Sequence, residues 1–164
     1  MSSALRYIGA ICIVVCAFLL SRSYSSYIKR RVSECECFLL LISHVEKMIR
    51  CFLSPVSDIF SKFECNEAKV MSFVCGVRDG KALSDAFAEC ECELALGKDG
   101  KKILSELFSE LGRGYKDGTL SLVASARSEL EKYTAREREE GEKNLKLATA
   151  LLVGGAVGVV LLFL

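Results

Sequence analysis

Apolar side chains gather at the two ends of the chain, and charge fills the stretch between them. Residues 7–20 (YIGAICIVVCAFLL) carry no charge, and neither do residues 147–164 (LATALLVGGAVGVVLLFL). Every charged residue except Arg6 lies between Arg22 and Lys146. This layout predicts a soluble domain pinned to a membrane at each end. From Leu145 the C-terminal run offers 20 residues with Lys146 alone charged, which matches the roughly 20 that a helix needs to cross the hydrocarbon core. Lys146 can snorkel to the headgroups. The N-terminal run has 14 uncharged residues, or 17 from Ala4 with Arg6 snorkelling as well. A retained span is expected there. The competing reading is a signal-peptide apolar region cleaved near Ser21 and Ser23, leaving a mature chain that begins near Tyr24. A single Arg before the run, with the basic cluster placed after it, argues against cleavage. The expected divisions are 1–21 (first span), 22–144 (soluble part) and 145–164 (second span).

Between the spans the pattern changes to helical periodicity. Val32, Cys35, Phe38, Leu39, Ile42, Val45, Met48, Ile49 and Phe52 recur at steps of three and four, one buried face of a helix. Ser54 as N-cap with Pro55 at the first helical position starts a second helix, with Asp58 in its first turn. That helix would bury Val56, Ile59, Phe60 and Phe63. A third is expected over 66–75, ended by Gly76, and Arg78-Asp79-Gly80 reads as a turn. Ser84 is expected to cap a fourth, running to Leu94. Gly97-Lys98-Asp99-Gly100 reads as a loop. Residues 101–111 form an amphipathic helix with Ile103, Leu104, Leu107, Phe108 and Leu111 on one side, closed by Gly112. The last helix starts at Thr119 and places Leu120, Val123, Ala126, Leu130 and Tyr133 on one stripe. Arg127 and Glu131, Glu139 and Lys143, and Glu142 and Lys146 support it at four-residue spacing. Gly141 costs a helix only ~1 kcal/mol, so this helix is expected to run on into the terminal span. The first helix continues likewise from the N-terminal span. The fold class is all-α, a membrane-anchored bundle of about six helices.

Charge narrows the function. Of the 22 basic residues Arg6 alone lies outside 22–146, leaving 21 basic against 21 acidic in the middle. A neutral domain is not a nucleic-acid surface, which needs a basic excess. By the positive-inside rule, Arg22, Lys29, Arg30 and Arg31 after the first run and Arg136, Arg138, Lys143 and Lys146 before the second put the domain in the cytoplasm. Seven of the nine cysteines fall in the middle, an odd number with no regular framework, which suits a reducing compartment.

Candidate chemistry is sparse. His44 is the sole histidine and sits between apolar positions on a helix, so a core-edge or surface place is expected and a catalytic triad is not. Cys35 with Cys37, and Cys90 with Cys92, have metal-pair looks, but residues two apart on a helix do not share a face. Packing thiols are the expected reading, with zinc as the alternative. The run Gly97-Lys98-Asp99-Gly100-Lys101-Lys102 lacks the spacing, the Ser/Thr and the preceding strand of a phosphate loop. Glu89, Glu91 and Glu93, and Glu137, Glu139 and Glu140, read as solvated faces. No catalytic residue, cofactor, metal or small-molecule substrate is expected. One motif concerns assembly. Ala150, Gly154 and Gly158 form a small-xxx-small ridge, which lets helix backbones approach closely in lipid; the contact would be with the N-terminal span or with another protein.

Four stretches taken in order resemble the stage III sporulation protein AB family of endospore-forming bacteria. Leu5-Arg6-Tyr7-Ile8-Gly9-Ala10 opens a span followed by basic residues. Val45-Glu46-Lys47-Met48-Ile49 leads to Ser54-Pro55-Val56. Ile103-Leu104-Ser105-Glu106-Leu107 runs into Leu111-Gly112. A charged helix then enters a glycine-containing terminal span. The chain departs from the family where Ser-Asp usually follows Leu-Gly: here Arg113-Gly114-Tyr115-Lys116-Asp117 stands instead, with Leu120 near the place of a family Gln. The resemblance implies a soluble domain similar to the cytoplasmic helical domains of type II secretion platform proteins, the F component. It implies a non-catalytic scaffold of the mother cell–forespore channel, in the mother-cell membrane, with the AA ATPase of the same operon as cytoplasmic partner. On that reading the exposed basic positions Lys98, Lys101, Lys102, Arg113 and Lys116 are candidate partner-facing residues. The rivals are an externally facing bundle with oxidised cysteines and a thiol- or metal-dependent protein.

Overall fold

Two helices of unusual length frame the chain, and four short ones lie between them in sequence. In this computed structural model the described residues are 2–52, 56–111 and 116–163, with the side chains of 2–8, 10, 13, 14, 51, 52, 56–58, 116, 117, 156 and 159–163 outside the description. The elements are α1 (Ser2–Phe52), α2 (Val56–Ser61), α3 (Ala68–Arg78), α4 (Leu83–Glu91), α5 (Lys98–Glu110) and α6 (Lys116–Phe163). Among the described residues there is no strand, so the all-α expectation holds. Both long helices pass without a break from their apolar ends into the charged middle. Ser54 and Pro55, the expected start of the second helix, lie outside the described residues.

The chain divides into two compact units, Arg30–Glu137 and the pair Met1–Lys29 with Arg138–Leu164. The first holds the core. Phe38, Leu41, Ile42, Ile59, Phe60, Phe73, Val74, Phe87, Leu104, Val123 and Leu130 are all fully or nearly fully buried. Of the apolar steps read in α1, Cys35, Phe38, Ile42 and Val45 are buried and Leu39, Met48 and Ile49 pack against the core, while the side chain of Phe52 lies outside the description. Phe38 sits at the centre, its ring 6.2 Å from those of Phe73 and Phe87 and 6.4 Å from Phe108. Phe73 and Phe108 are closer still, with centroids 4.6 Å apart. Rings at tilted or edge-on angles suit the aromatic quadrupole and add to plain area burial.

Several helix boundaries differ from those expected, among them the start of α6 at Lys116 rather than Thr119 and the end of α4 at Glu91 rather than Leu94; at three others packing outweighs a local signal. α3 does not stop at Gly76 but runs to Arg78. Val77 is buried beyond the glycine, which offsets the ~1 kcal/mol that glycine costs in a helix. The Arg78 guanidinium then donates to the carbonyls of Phe60 at 3.1 Å and Phe63 at 2.7 Å, tying α3 to the chain at and beyond α2. The turn follows as expected, with Gly80 at φ 90°, a conformation glycine adopts without penalty. α4 starts at Leu83 with Ala82 as N-cap, so Ser84 lies inside the helix and bonds Asp85. Leu83 packs on the core, and burying it exceeds the ~1 kcal/mol of a serine cap. α5 begins at Lys98 rather than Lys101, so Lys98-Asp99-Gly100 is a helical turn and not a loop. Asp99 complements the positive helix end, while Gly100 is buried where a Cβ would lie 2.7 Å from Cε1 of Tyr133.

Phe38→Ala is expected to destabilise the bundle by about 3–5 kcal/mol, the range for a large aromatic lost from a core. Leu40→Ala, on the outer side of α1 where Leu40 is 63% exposed, is expected to stay within ~0.5 kcal/mol. Urea unfolding followed by circular dichroism checks both.

Candidate functional site

Within the Arg30–Glu137 unit, a polar seam pins the α4–α5 connector to both long helices. Glu34 on α1 has no solvent exposure. Its carboxylate accepts from Arg30 Nε at 2.9 Å and from the Ala95 backbone N–H at 2.6 Å. One turn away, the Tyr133 hydroxyl of α6 accepts from an Arg31 guanidinium nitrogen at 2.9 Å and from the Gly97 backbone N–H at 3.0 Å. Arg31 also pairs with Glu137 at 2.8 Å. Burial pushes the Tyr133 hydroxyl above the usual phenol range. A Cβ at Gly97 would lie 2.8 Å from that hydroxyl oxygen, so glycine there lets the connector approach. The apolar stripe placed Tyr133 correctly on the buried face of α6, but no spacing rule revealed what its hydroxyl holds.

In the second unit α1 and α6 pack on each other. The Ser21 and Thr149 hydroxyls hydrogen-bond at 3.2 Å. Gly141 is buried, and a Cβ on it would meet Cγ2 of Ile28 at 2.6 Å. Close approach of the two helices falls here. Ala150, Gly154 and Gly158 are exposed, and a Cβ on either glycine of that ridge would meet nothing within 4 Å. Large apolar side chains on both helices face outward, among them Phe18 at 66% and Leu151 at 73% exposure, with Ile11, Leu19, Leu20, Leu147 and Val157. Among the described residues, no helix is long and apolar enough to cross a membrane. Each apolar run also includes residues outside the described side chains, such as Ile13 and Val14 in the first and Ala156 in the second.

The basic positions singled out by sequence are dispersed. Lys98 and Lys102 are exposed at the start of α5, with Lys102 paired to Glu106 at 3.8 Å. Lys101 is half-buried. Arg113 lies outside the described residues; Lys116 opens α6, and its side chain is outside the description. His44 takes the core-edge place expected of it, its Nε2 3.1 Å from the Ile59 carbonyl and its ring against Phe63.

The cysteines separate by environment. Cys35 and Cys90 are buried, and burial pushes each thiol up to about 11. At neutral pH they are packing thiols, unreactive because the thiolate is the nucleophile. Cys75 and Cys92 are exposed. Cys37 is not a packing thiol: it is disulfide-bonded to Cys65, with Cα atoms 6.6 Å apart. The expectation that Cys35, Cys37, Cys90 and Cys92 are packing thiols is corrected at Cys37, which is bonded, and at Cys92, which is exposed. Proximity across the fold, between α1 and the segment leading into α3, created the disulfide, and linear spacing did not announce it. Among the described residues no group of three His, Cys, Asp or Glu is placed to hold a metal ion.

An all-helical bundle built on two long helices with apolar ends is the class that fold and surfaces define. The chain belongs to the stage III sporulation protein AB family, whose profile matches residues 6–164. No curated protein and no solved structure matches the chain.

Gly141→Val is expected to loosen the α1–α6 pair, because overpacking costs about 1–3 kcal/mol. Disulfide trapping between Ser21→Cys and Thr149→Cys, in a background without the native cysteines, reads this directly. Trapping should fall sharply with Gly141→Val and stay unchanged with Gly154→Val.

Proposed function

We propose that the protein is a non-catalytic membrane platform in a sporulation channel between mother cell and forespore, working with a secretion-type ATPase. The sporulation role rests on family membership. The observation that carries the platform reading is the α1–α6 pair, where two helices bearing the apolar runs pack through Gly141 and Ser21 while Phe18, Leu19, Leu147 and Leu151 point outward. An outward apolar surface of that kind marks a membrane or protein contact. Residues 145–164 supply the 20 positions that a span requires. The exposed ridge Ala150, Gly154 and Gly158 is then available to a helix of a neighbouring channel protein.

In this reading the Arg30–Glu137 bundle faces the cytoplasm, and its partner is the AA ATPase of the same operon. Lys98, Lys101 and Lys102 crowd the positive end of α5, where cations are unfavourable for the helix itself. Three lysines held there suit an acidic partner surface. Lys98→Glu with Lys102→Glu is expected to weaken ATPase binding about tenfold or more while leaving the unfolding midpoint within a degree or two, since surface changes rarely exceed ~0.5 kcal/mol. Co-purification and titration with the ATPase measure the first effect, and thermal melts the second. Unchanged binding would remove this face from the proposal.

A second reading has one observation in its favour. The Cys37–Cys65 disulfide belongs to an oxidising compartment, and it closes a loop whose cross-link is worth about 3–4 kcal/mol in the chain-entropy account. An externally facing bundle would keep it. Alkylation of the protein from acid-quenched sporulating cells separates the two: free Cys37 and Cys65 fit the cytoplasmic platform, and a protected pair fits the external bundle.

A further inference from the structure

On α1, Ser21, Arg22, Ser25, Ser26 and Lys29 follow the three- and four-residue spacing of one helix face, and with Thr149 of α6 they line a groove of about 550 Å³. This volume is in the range of small-ligand sites. Two cations and four hydroxyls converge there, and no carboxylate is among the described lining residues. Arg22 and Lys29 make no ion pair among the described residues, unlike Arg30, Arg31 and Lys143 of the same two helices. One hydroxyl hydrogen of the Ser21–Thr149 pair is used in their mutual bond, and the other is free to point into the groove. Phe18 and Leu145 close the apolar edge, and the outward Leu19, Leu20, Leu147 and Leu151 continue from it.

We infer that this groove holds the phosphate of an anionic phospholipid headgroup, with the acyl chains lying along the outward apolar residues. An arginine and a lysine with hydroxyl donors match a phosphodiester, and a basic pocket between two helices at the edge of an apolar run is where an anionic headgroup docks. A soluble phosphate shares the polar chemistry but has no use for the apolar edge, which is why the lipid is the chosen occupant. The inference rests on the membrane reading above.

The chain has no tryptophan, so Phe18→Trp places a lone indole reporter at the groove edge. The full-length variant is reconstituted into phosphatidylcholine bilayers in which either brominated phosphatidylglycerol or brominated phosphatidylcholine is the quencher. Stronger quenching by the phosphatidylglycerol is expected. Arg22→Gln with Lys29→Gln should reduce this preference by up to about 30-fold, the effect of two interfacial cations. The matched charge loss Lys143→Gln with Lys146→Gln should leave most of it. Equal quenching by the two lipids, or equal loss in both charge variants, would overturn the groove as a headgroup site while leaving the membrane reading intact. Relief of phosphatidylglycerol quenching by excess glycerol phosphate would overturn the lipid in favour of a soluble phosphate. Absence of quenching by either lipid would overturn the membrane reading, and the groove with it.

Discussion

A buried carboxylate sets the terms for the rest of the bundle. Glu34 has no contact with water, so its charge must be met inside the protein or the fold is penalised by several kcal/mol. Arg30 meets one oxygen, and the Ala95 N–H meets the other. That second bond fixes the α4–α5 connector against α1. With the connector fixed, Gly97 lies beside the Tyr133 hydroxyl, and Gly100 beside its ring. α6 is thereby locked to the same place through Arg31 and Glu137. The aromatic cluster of Phe38, Phe73, Phe87 and Phe108 lies within an apolar core whose burial supplies the driving force. Non-directional apolar burial does not choose a register, whereas the Glu34 and Tyr133 bonds do.

The same two helices that carry this seam also carry the chain's apolar ends. α1 bears Glu34 and Phe18, and α6 bears Tyr133 and Leu151. The disulfide between Cys37 on α1 and Cys65 favours the external reading over the cytoplasmic one. It also makes sidedness the question on which the functional account turns.

Helix existence and the core stripes were legible in the sequence because they depend on period alone. Cys35, Phe38, Ile42 and Val45 on α1, and Val123, Ala126, Leu130 and Tyr133 on α6, lie buried where three- and four-residue steps placed them. Boundaries were less legible, since glycine and serine signals worth ~1 kcal/mol yield to packing: Gly76 is passed through, Ser84 is overrun, and Gly100 lies inside a helix. The small-residue ridge at Ala150, Gly154 and Gly158 was visible, yet the close helix approach within the chain occurs at Gly141, which reads in sequence only as a weak breaker. The Cys37–Cys65 pairing and the two-helix groove depend on residues distant in sequence, and no local pattern contains them. Arg22 and Lys29 were visible as positive flanks. Their convergence with Ser25, Ser26 and Thr149 needed α6 in place.

The most direct test of the membrane-platform account is the sidedness of the bundle in living cells. Cys75 and Cys92 are exposed and serve as reporters, each as the single cysteine of the chain, under a membrane-impermeant maleimide. The account predicts that both stay unlabelled in intact cells and react once the membrane is permeabilised, which places the bundle where a cytoplasmic ATPase can reach it. Labelling of either residue in intact cells would contradict it and put the bundle on the outer side, consistent with a lasting Cys37–Cys65 bond.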